Sequence, residues 1–145
     1  LPISVAKALP WLALIGLGAG LTPSGDDFVG GLLFFIYNLQ TTYPKLNLNN
    51  PLFLEHYRSR THQISFTLLQ DLANGHAIAP LHHIINGIFS AEPIEVIQPA
   101  ITHLTQVGHS TGWDLLAGLL TGLLTTYQNP SSRLEDQAMM ELMRI

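Results

Sequence analysis

The sequence has no cysteine. That excludes a thiol nucleophile, a thiolate-held zinc or iron–sulfur centre and a disulfide framework, and it agrees with a reducing, cytoplasmic setting. Charge is scarce too: 11% of residues are Asp, Glu, Lys or Arg, against roughly 25% in an ordinary soluble domain. Six Lys and Arg stand against ten Asp and Glu, a formal net charge of −4. The cations form no cluster, so the footprint that nucleic acid or an acidic membrane surface requires is missing, and neither is expected as a partner. Long hydrophobic runs are missing as well. The longest uncharged apolar stretches, Phe28 to Leu39 and Leu115 to Tyr127, fall short of the roughly 20 residues of a spanning helix and are interrupted by Gly, Asn or Thr. Leu1 to Leu17, with one Lys and two Pro, is a poor signal peptide. A chain that begins at Leu1 and carries so little charge reads as a fragment of a longer protein, or as a subunit of an assembly whose apolar surface other chains cover.

What is present is 145 residues at 47% hydrophobic, with a mean hydropathy of +0.27. A compact chain of this size buries roughly 70% of the surface its unfolded form exposes. Residues 1–145 are therefore read as one domain. Apolar residues recur at spacings of three and four almost throughout, which predicts an all-α fold, a single compact helical domain. The expected helices run over Ile3 to Ile15, Ser24 to Gln40, Pro51 to Gly75 with a possible interruption, Pro80 to Phe89, Pro93 to Gly108 kinked or split at Pro99, and Thr111 to Tyr127. A turn at Asn129-Pro130 then leads into a last helix from Ser132, where Ser132-Arg133-Leu134-Glu135 is a capping box.

The informative feature is an internal echo. Ser24-Gly25-Asp26-Asp27-Phe28-Val29-Gly30-Gly31-Leu32-Leu33 and Thr111-Gly112-Trp113-Asp114-Leu115-Leu116-Ala117-Gly118-Leu119-Leu120 share [Ser/Thr]-Gly-x-Asp-x-x-x-Gly-Leu-Leu at an offset of 87 residues. Each copy reads as a loop ending in a hydroxyl N-cap, a Gly, an Asp in the first turn, and a Gly one turn on where another backbone can come close. The two helices are expected to cross at Gly31 and Gly118 as pseudo-repeated units, with their loops sharing one cleft.

Two look-alikes fail. Gly16-Leu17-Gly18-Ala19-Gly20-Leu21 has Leu where a dinucleotide fingerprint needs Gly or Ala, and no βαβ pattern surrounds it. Gly20 to Gly25 has the gap of a phosphate loop, but Asp26-Asp27 stands where Lys-Ser/Thr belongs. Asp27 and Asp114 are read as helix-capping acids that also border the cleft. Asp26, whose echo is Trp113, has no capping duty and is read as a candidate catalytic residue or a solvated first-turn acid, and His109, in the loop before the second helix, as a candidate catalytic acid or base or a polar core side chain. Thr22, Ser24, Gly25, Asp27, Ser110, Thr111, Gly112 and Asp114 are the candidate substrate-binding residues. His76, His82 and His83 read as solvated, without the spacing of a metal site, and no metal ligand is assigned. Arg58 and Arg60 read as surface residues that could also clamp a carboxylate.

The long motif Gly16-Leu17-Gly18-Ala19-Gly20-Leu21-Thr22-Pro23-Ser24-Gly25-Asp26-Asp27-Phe28, with Gly108-His109-Ser110-Thr111-Gly112-Trp113-Asp114-Leu115-Leu116-Ala117-Gly118 far downstream, resembles a bacterial family long labelled a domain of unknown function. That family includes the AllH-type subunit of oxamate carbamoyltransferase. The resemblance frames roughly residues 10 to 125, and because the family's members are commonly longer on the N-terminal side it implies that this chain corresponds to the C-terminal part of a longer subunit. It implies a cytoplasmic subunit that works with two others in allantoin breakdown, passing a carbamoyl group between oxalurate and phosphate. It carries no role for an individual residue. A small-molecule anion or ureido substrate is compatible with the loops, because helix N-termini offer N–H donors and the Asp residues accept from ureido N–H groups. No organic cofactor is expected. The Asp residues would repel an anion unless Mg²⁺ bridges them or they face only the amide end. The reading from another class is a structural or regulatory subunit whose loops only cap helices and whose apolar surface docks partner chains or further copies of itself.

Overall fold

The computed structural model describes residues 10–43 and 51–128. Five α-helices and two 3-10 segments make up the described residues, with no strand among them: a 3-10 turn at Trp11–Leu14, α1 (Ser24–Thr42), a 3-10 segment at Pro51–Arg60, α2 (Gln63–Ala73), α3 (Ala79–Phe89), α4 (Ile94–Thr105) and α5 (Thr111–Gln128). The fold is all-α. The turn at Asn129-Pro130, the capping box at Ser132 and residues 3–9 of the first expected helix lie outside the described residues.

α1 is the axis of the molecule. Val29, Leu32, Leu33, Phe34, Phe35, Ile36 and Leu39 are all buried, so it is apolar nearly all round, as a helix enclosed by others must be. It packs most extensively on α5 and next on α2, while α3 pairs with α4 and α4 leans on α5. Two adjacent glycines serve its two neighbours. A Cβ on Gly30 would lie 2.4 Å from Leu72 Cδ1 of α2, and a Cβ on Gly31 would lie 2.1 Å from the Leu115 carbonyl oxygen of α5. The approach is reciprocal, because a Cβ on Gly118 would lie 1.8 Å from the Phe28 carbonyl oxygen. The expected crossing at Gly31 and Gly118 is what the structure shows, and its reason is steric: only Gly permits backbone against backbone at that distance.

Two local expectations are corrected, and the interruption allowed for between Pro51 and Gly75 is located. Pro23, not Ser24, is the N-cap of α1 and makes no side-chain capping bond; Ser24 and Thr111 are already helical, so Asp27 and Asp114 sit one position too deep for a capping box. The stretch from Pro51 to Gly75 is two elements, broken at Thr61-His62. The break is where the chain docks on the Gly-rich loop: a Cβ on Gly16, whose φ is +87°, would lie 2.0 Å from the Arg60 carbonyl oxygen. Finally, α4 runs unbroken through Pro99. Pro99 and Glu95 are both exposed, so water can take the Glu95 carbonyl that the missing N–H leaves free.

The α3 C-terminus offers a stability test. Glu92 N–H bonds the Gly87 carbonyl at 2.9 Å and Ala91 N–H the Ile88 carbonyl at 3.1 Å, the paired bonds of a Schellman ending. Ala91 holds the left-handed position at φ +51°, where glycine is favoured. Ala91→Gly is expected to gain about 0.5–1 kcal/mol, read as a small rise in Tm; an unchanged or lower Tm would contradict the geometry.

Exposed apolar residues lie on the outer helices, with Ile64 and Leu68 on α2 and Ile94 and Val96 on α4, and also on the central pair, with Trp113, Leu120 and Leu124 on α5. Among the described residues, no helix is long and apolar enough to cross a membrane.

Candidate functional site

The crossing of α1 and α5 brings the two echoed loops together, with Ser24 Oγ and Ser110 Oγ 3.3 Å apart. Behind that contact the acids divide sharply. Asp26 is 2% exposed and accepts three hydrogen bonds: from Gly16 N–H at 2.6 Å, from Ser65 Oγ at 2.5 Å and from Thr61 Oγ1. These tie the Gly-rich loop, the break at Thr61 and α2 to the first turn of α1. The expectation that Asp26 carries no folding duty is therefore corrected.

Asp27 has the opposite surroundings. It is 7% exposed; Thr111 donates to its carboxylate from across the helix crossing, yet its Oδ2 is buried without a partner. Asp114, its echo on α5, likewise has Oδ2 buried without a partner. Burial pushes the Asp27 carboxyl up to about 6; the Thr111 hydrogen bond opposes this, and the charges of Asp114 and Asp26 add to it. Because the folded protein holds this proton more tightly than the unfolded chain, the stability this carboxyl contributes is fully present below about pH 4 and is lost progressively as pH rises through about 6. Asp27→Asn is thus expected to stabilise the unliganded protein above pH 6, on the order of 1–2 kcal/mol after allowance for solvent screening. Little change is expected at pH 4. A loss of stability at pH 7.5, followed by urea unfolding, would contradict this.

Asp27 and Thr111 open onto a cavity of about 360 Å³ whose other polar residues are Asp71 and His76 and whose walls include Leu72, Leu81, Val107 and Leu115. The turn after α2 places His76 there. Gly75, at φ +83°, closes a Schellman ending in which Gly75 N–H bonds the Leu72 carbonyl at 3.1 Å and His76 N–H the Asp71 carbonyl at 2.8 Å. Gly75 was legible as a helix stop, but its part in placing His76 on a cavity was not.

Of the remaining sequence candidates, Gly25 and Gly112 play a shared packing role. A Cβ on either would lie 1.9 Å from the Leu14 carbonyl oxygen or 1.7 Å from that of Leu104. Their N–H groups are taken by the Leu17 and Val107 carbonyls, at 2.9 and 3.0 Å. These two donors, expected to be free for an anion, are occupied. Thr22 is half-buried and His109 exposed; neither lines the cavity. Arg58 bonds Glu55 through two nitrogens at 2.9 Å each and lies 4.3 Å from the centre of the Phe66 ring. Arg60 lies over Tyr57. His82 packs edge-on to Phe34. No three His, Asp or Glu side chains among the described residues converge as metal ligands.

The family model described as oxamate carbamoyltransferase subunit AllH matches residues 14–123. The chain belongs to this family. The matched span runs from the first 3-10 turn into α5 and so contains both loops, the helix crossing and every residue lining the cavity of this AllH-family chain. No solved structure matches it. The description of the family is that of an enzyme subunit. Within the family fold, Asp71 and His76 are the residues that reading the sequence missed as a pair. Their signal was faint: a Gly75 stop signal beside an acid that helical spacing places on the solvent face.

Proposed function

We propose that this AllH-family chain works as a subunit of an oxamate carbamoyltransferase and that the Asp27 cavity is the place where it meets a small molecule. The reaction is the phosphorolysis of oxalurate. The bond between the carbamoyl carbon and the oxamate nitrogen breaks, a bond from that carbon to a phosphate oxygen forms, and the proton of hydrogen phosphate ends on the oxamate nitrogen. Atoms and charge balance without a redox partner. One observation carries the assignment: Asp27 lines the cavity and keeps one carboxylate oxygen buried without a donor, a cost in stability to the empty protein that supports a role in binding. The exposed stripe Trp113, Leu120 and Leu124 on one face of α5 supports the companion reading, that other subunits dock there. The two roles coexist in a subunit.

The test uses the enzyme reassembled with its partner subunits. Ala77 lines the cavity, so Ala77→Phe fills it from a position distant from the α5 stripe in sequence. Ala77→Phe and Asp27→Asn should each lower phosphate-dependent carbamoyl transfer more than tenfold while co-purification with the partners persists. Full turnover in both variants would remove the cavity from the reaction and leave the chain as a docking subunit.

A further inference from the structure

The cavity's charge pattern says which end of a ligand it can take. Its ionisable residues are Asp27, Asp71 and His76, and no Lys or Arg lines it. Neither arginine between α1 and α2 is directed to it: Arg58 is committed to Glu55 and the Phe66 ring, and Arg60 lies over Tyr57. The Gly25 and Gly112 amides at the starts of the two adjoining helices already bond the Leu17 and Val107 carbonyls, so these two donors are not free to hold a phosphate or carboxylate. What remains unmet is an acceptor. Thr111 satisfies part of the Asp27 carboxylate, and Oδ2 waits for a donor. The walls around it, Leu72, Leu81, Val107 and Leu115, are aliphatic. An anion placed here would face two carboxylates in a medium of reduced dielectric, where like charges repel more strongly than in water.

Resting on the reading of this cavity as a small-molecule site, we infer that it takes the N–H-bearing end of its ligand, an amide, ureido or ammonium group on a short apolar frame, with Asp27 as the acceptor, and that it holds no anionic end. A reaction whose two reactants are both anions then needs its cationic groups from outside this cavity. The site of an AllH-family subunit is on this account half of a site: it grips the nitrogen end, and a neighbouring chain that brings Lys, Arg or a metal ion grips the oxyanions. A charge of −4 with six cations in the whole chain agrees with that division.

The probes are simple molecules, tested on the purified protein at constant ionic strength by thermal unfolding and calorimetry. n-Butylurea is a neutral N–H donor, n-butylammonium chloride a cationic one, and potassium phosphate and potassium oxalate are the anions. A saturable rise in Tm is expected with butylurea or butylammonium and none with either anion beyond that of matched potassium chloride. Which of the two nitrogen probes binds more tightly distinguishes a ureido site from an ammonium site. Ala77→Phe should abolish the response to both. Asp27→Asn, which keeps size but removes the charge, should weaken butylammonium binding at least tenfold and butylurea binding less, since the Asn carbonyl still accepts. Saturable binding of phosphate or oxalate that Ala77→Phe removes would overturn the inference and leave the cavity standing as a ligand site. Failure of all four probes would overturn both it and the reading it rests on.

Discussion

Gly118→Ala and Gly31→Ala are each expected to cost about 3 kcal/mol or more, enough to lower Tm by roughly 10 °C in a domain of this size. The added methyl group would lie 1.8 Å from the Phe28 carbonyl oxygen in the first case and 2.1 Å from that of Leu115 in the second. Both neighbours are backbone, so neither can swing aside; α1 and α5 must separate, and the buried side chains along their whole contact lose packing. Gly30→Ala is the internal control. Its Cβ would meet Leu72 Cδ1 at 2.4 Å, the movable tip of a side chain, and the helix gains about 1 kcal/mol of intrinsic propensity. Its net loss should be much smaller. Separation of the helices also moves Thr111 away from Asp27, so the two damaging variants should lose ligand response even at temperatures where they remain folded. Equal, mild effects at all three glycines by urea unfolding would show that the crossing is looser than described.

Those glycines were legible because their constraint is written locally. The repeated [Ser/Thr]-Gly-x-Asp-x-x-x-Gly-Leu-Leu pattern places a residue that weakens a helix at the same turn of two helices, and close approach is the physical compensation for it. The all-α class and the limits of α1, α3 and α5 followed from periodicity and from Pro and Gly punctuation in the same way. The division of labour between Asp26 and Asp27 was not legible. Asp26 is claimed by Thr61 and Ser65, 35 and 39 residues away, on segments whose placement no spacing rule predicts. The position of the break at Thr61-His62 was not legible for the same reason: the sequence allows an interruption between Pro51 and Gly75 without locating it, and the break falls beside Arg60, whose carbonyl docks against Gly16. The cavity escaped notice because its walls come from α2, α3 and α5 together, and its polar lining at Asp71 and His76 depends on a turn geometry rather than on a motif.

Asp26→Ala is expected to be among the most destabilising single substitutions in the chain, at about 3 kcal/mol or more. It strands the Gly16 N–H and the Thr61 and Ser65 hydroxyls in a buried place, and each unsatisfied donor costs about 1–3 kcal/mol unless it finds a new partner. Asp26→Asn should be milder, about 1 kcal/mol, because an amide can accept from Gly16 N–H and donate to hydroxyls that turn to receive it. Capping arguments on the sequence alone make Asp27 the structural acid and leave Asp26 without that duty, and the hydrogen bonds reverse that order. Asp27 carries an unpartnered oxygen and a proton affinity raised to about 6, so at pH 7.5 its replacement by Asn relieves a buried charge where the same replacement at Asp26 removes a satisfied one. The pair forms a single measurement: urea unfolding of Asp26→Ala, Asp26→Asn and Asp27→Asn at pH 7.5 and at pH 4. Asp26→Ala should be weakened at both values, whereas the gain from Asp27→Asn should appear only at the higher. If Asp26→Ala unfolds with the native protein while Asp27→Asn is weakened at pH 7.5, the roles of the two carboxylates return to the order that capping arguments alone suggest, and the case for Asp27 as a group kept for binding fails with them.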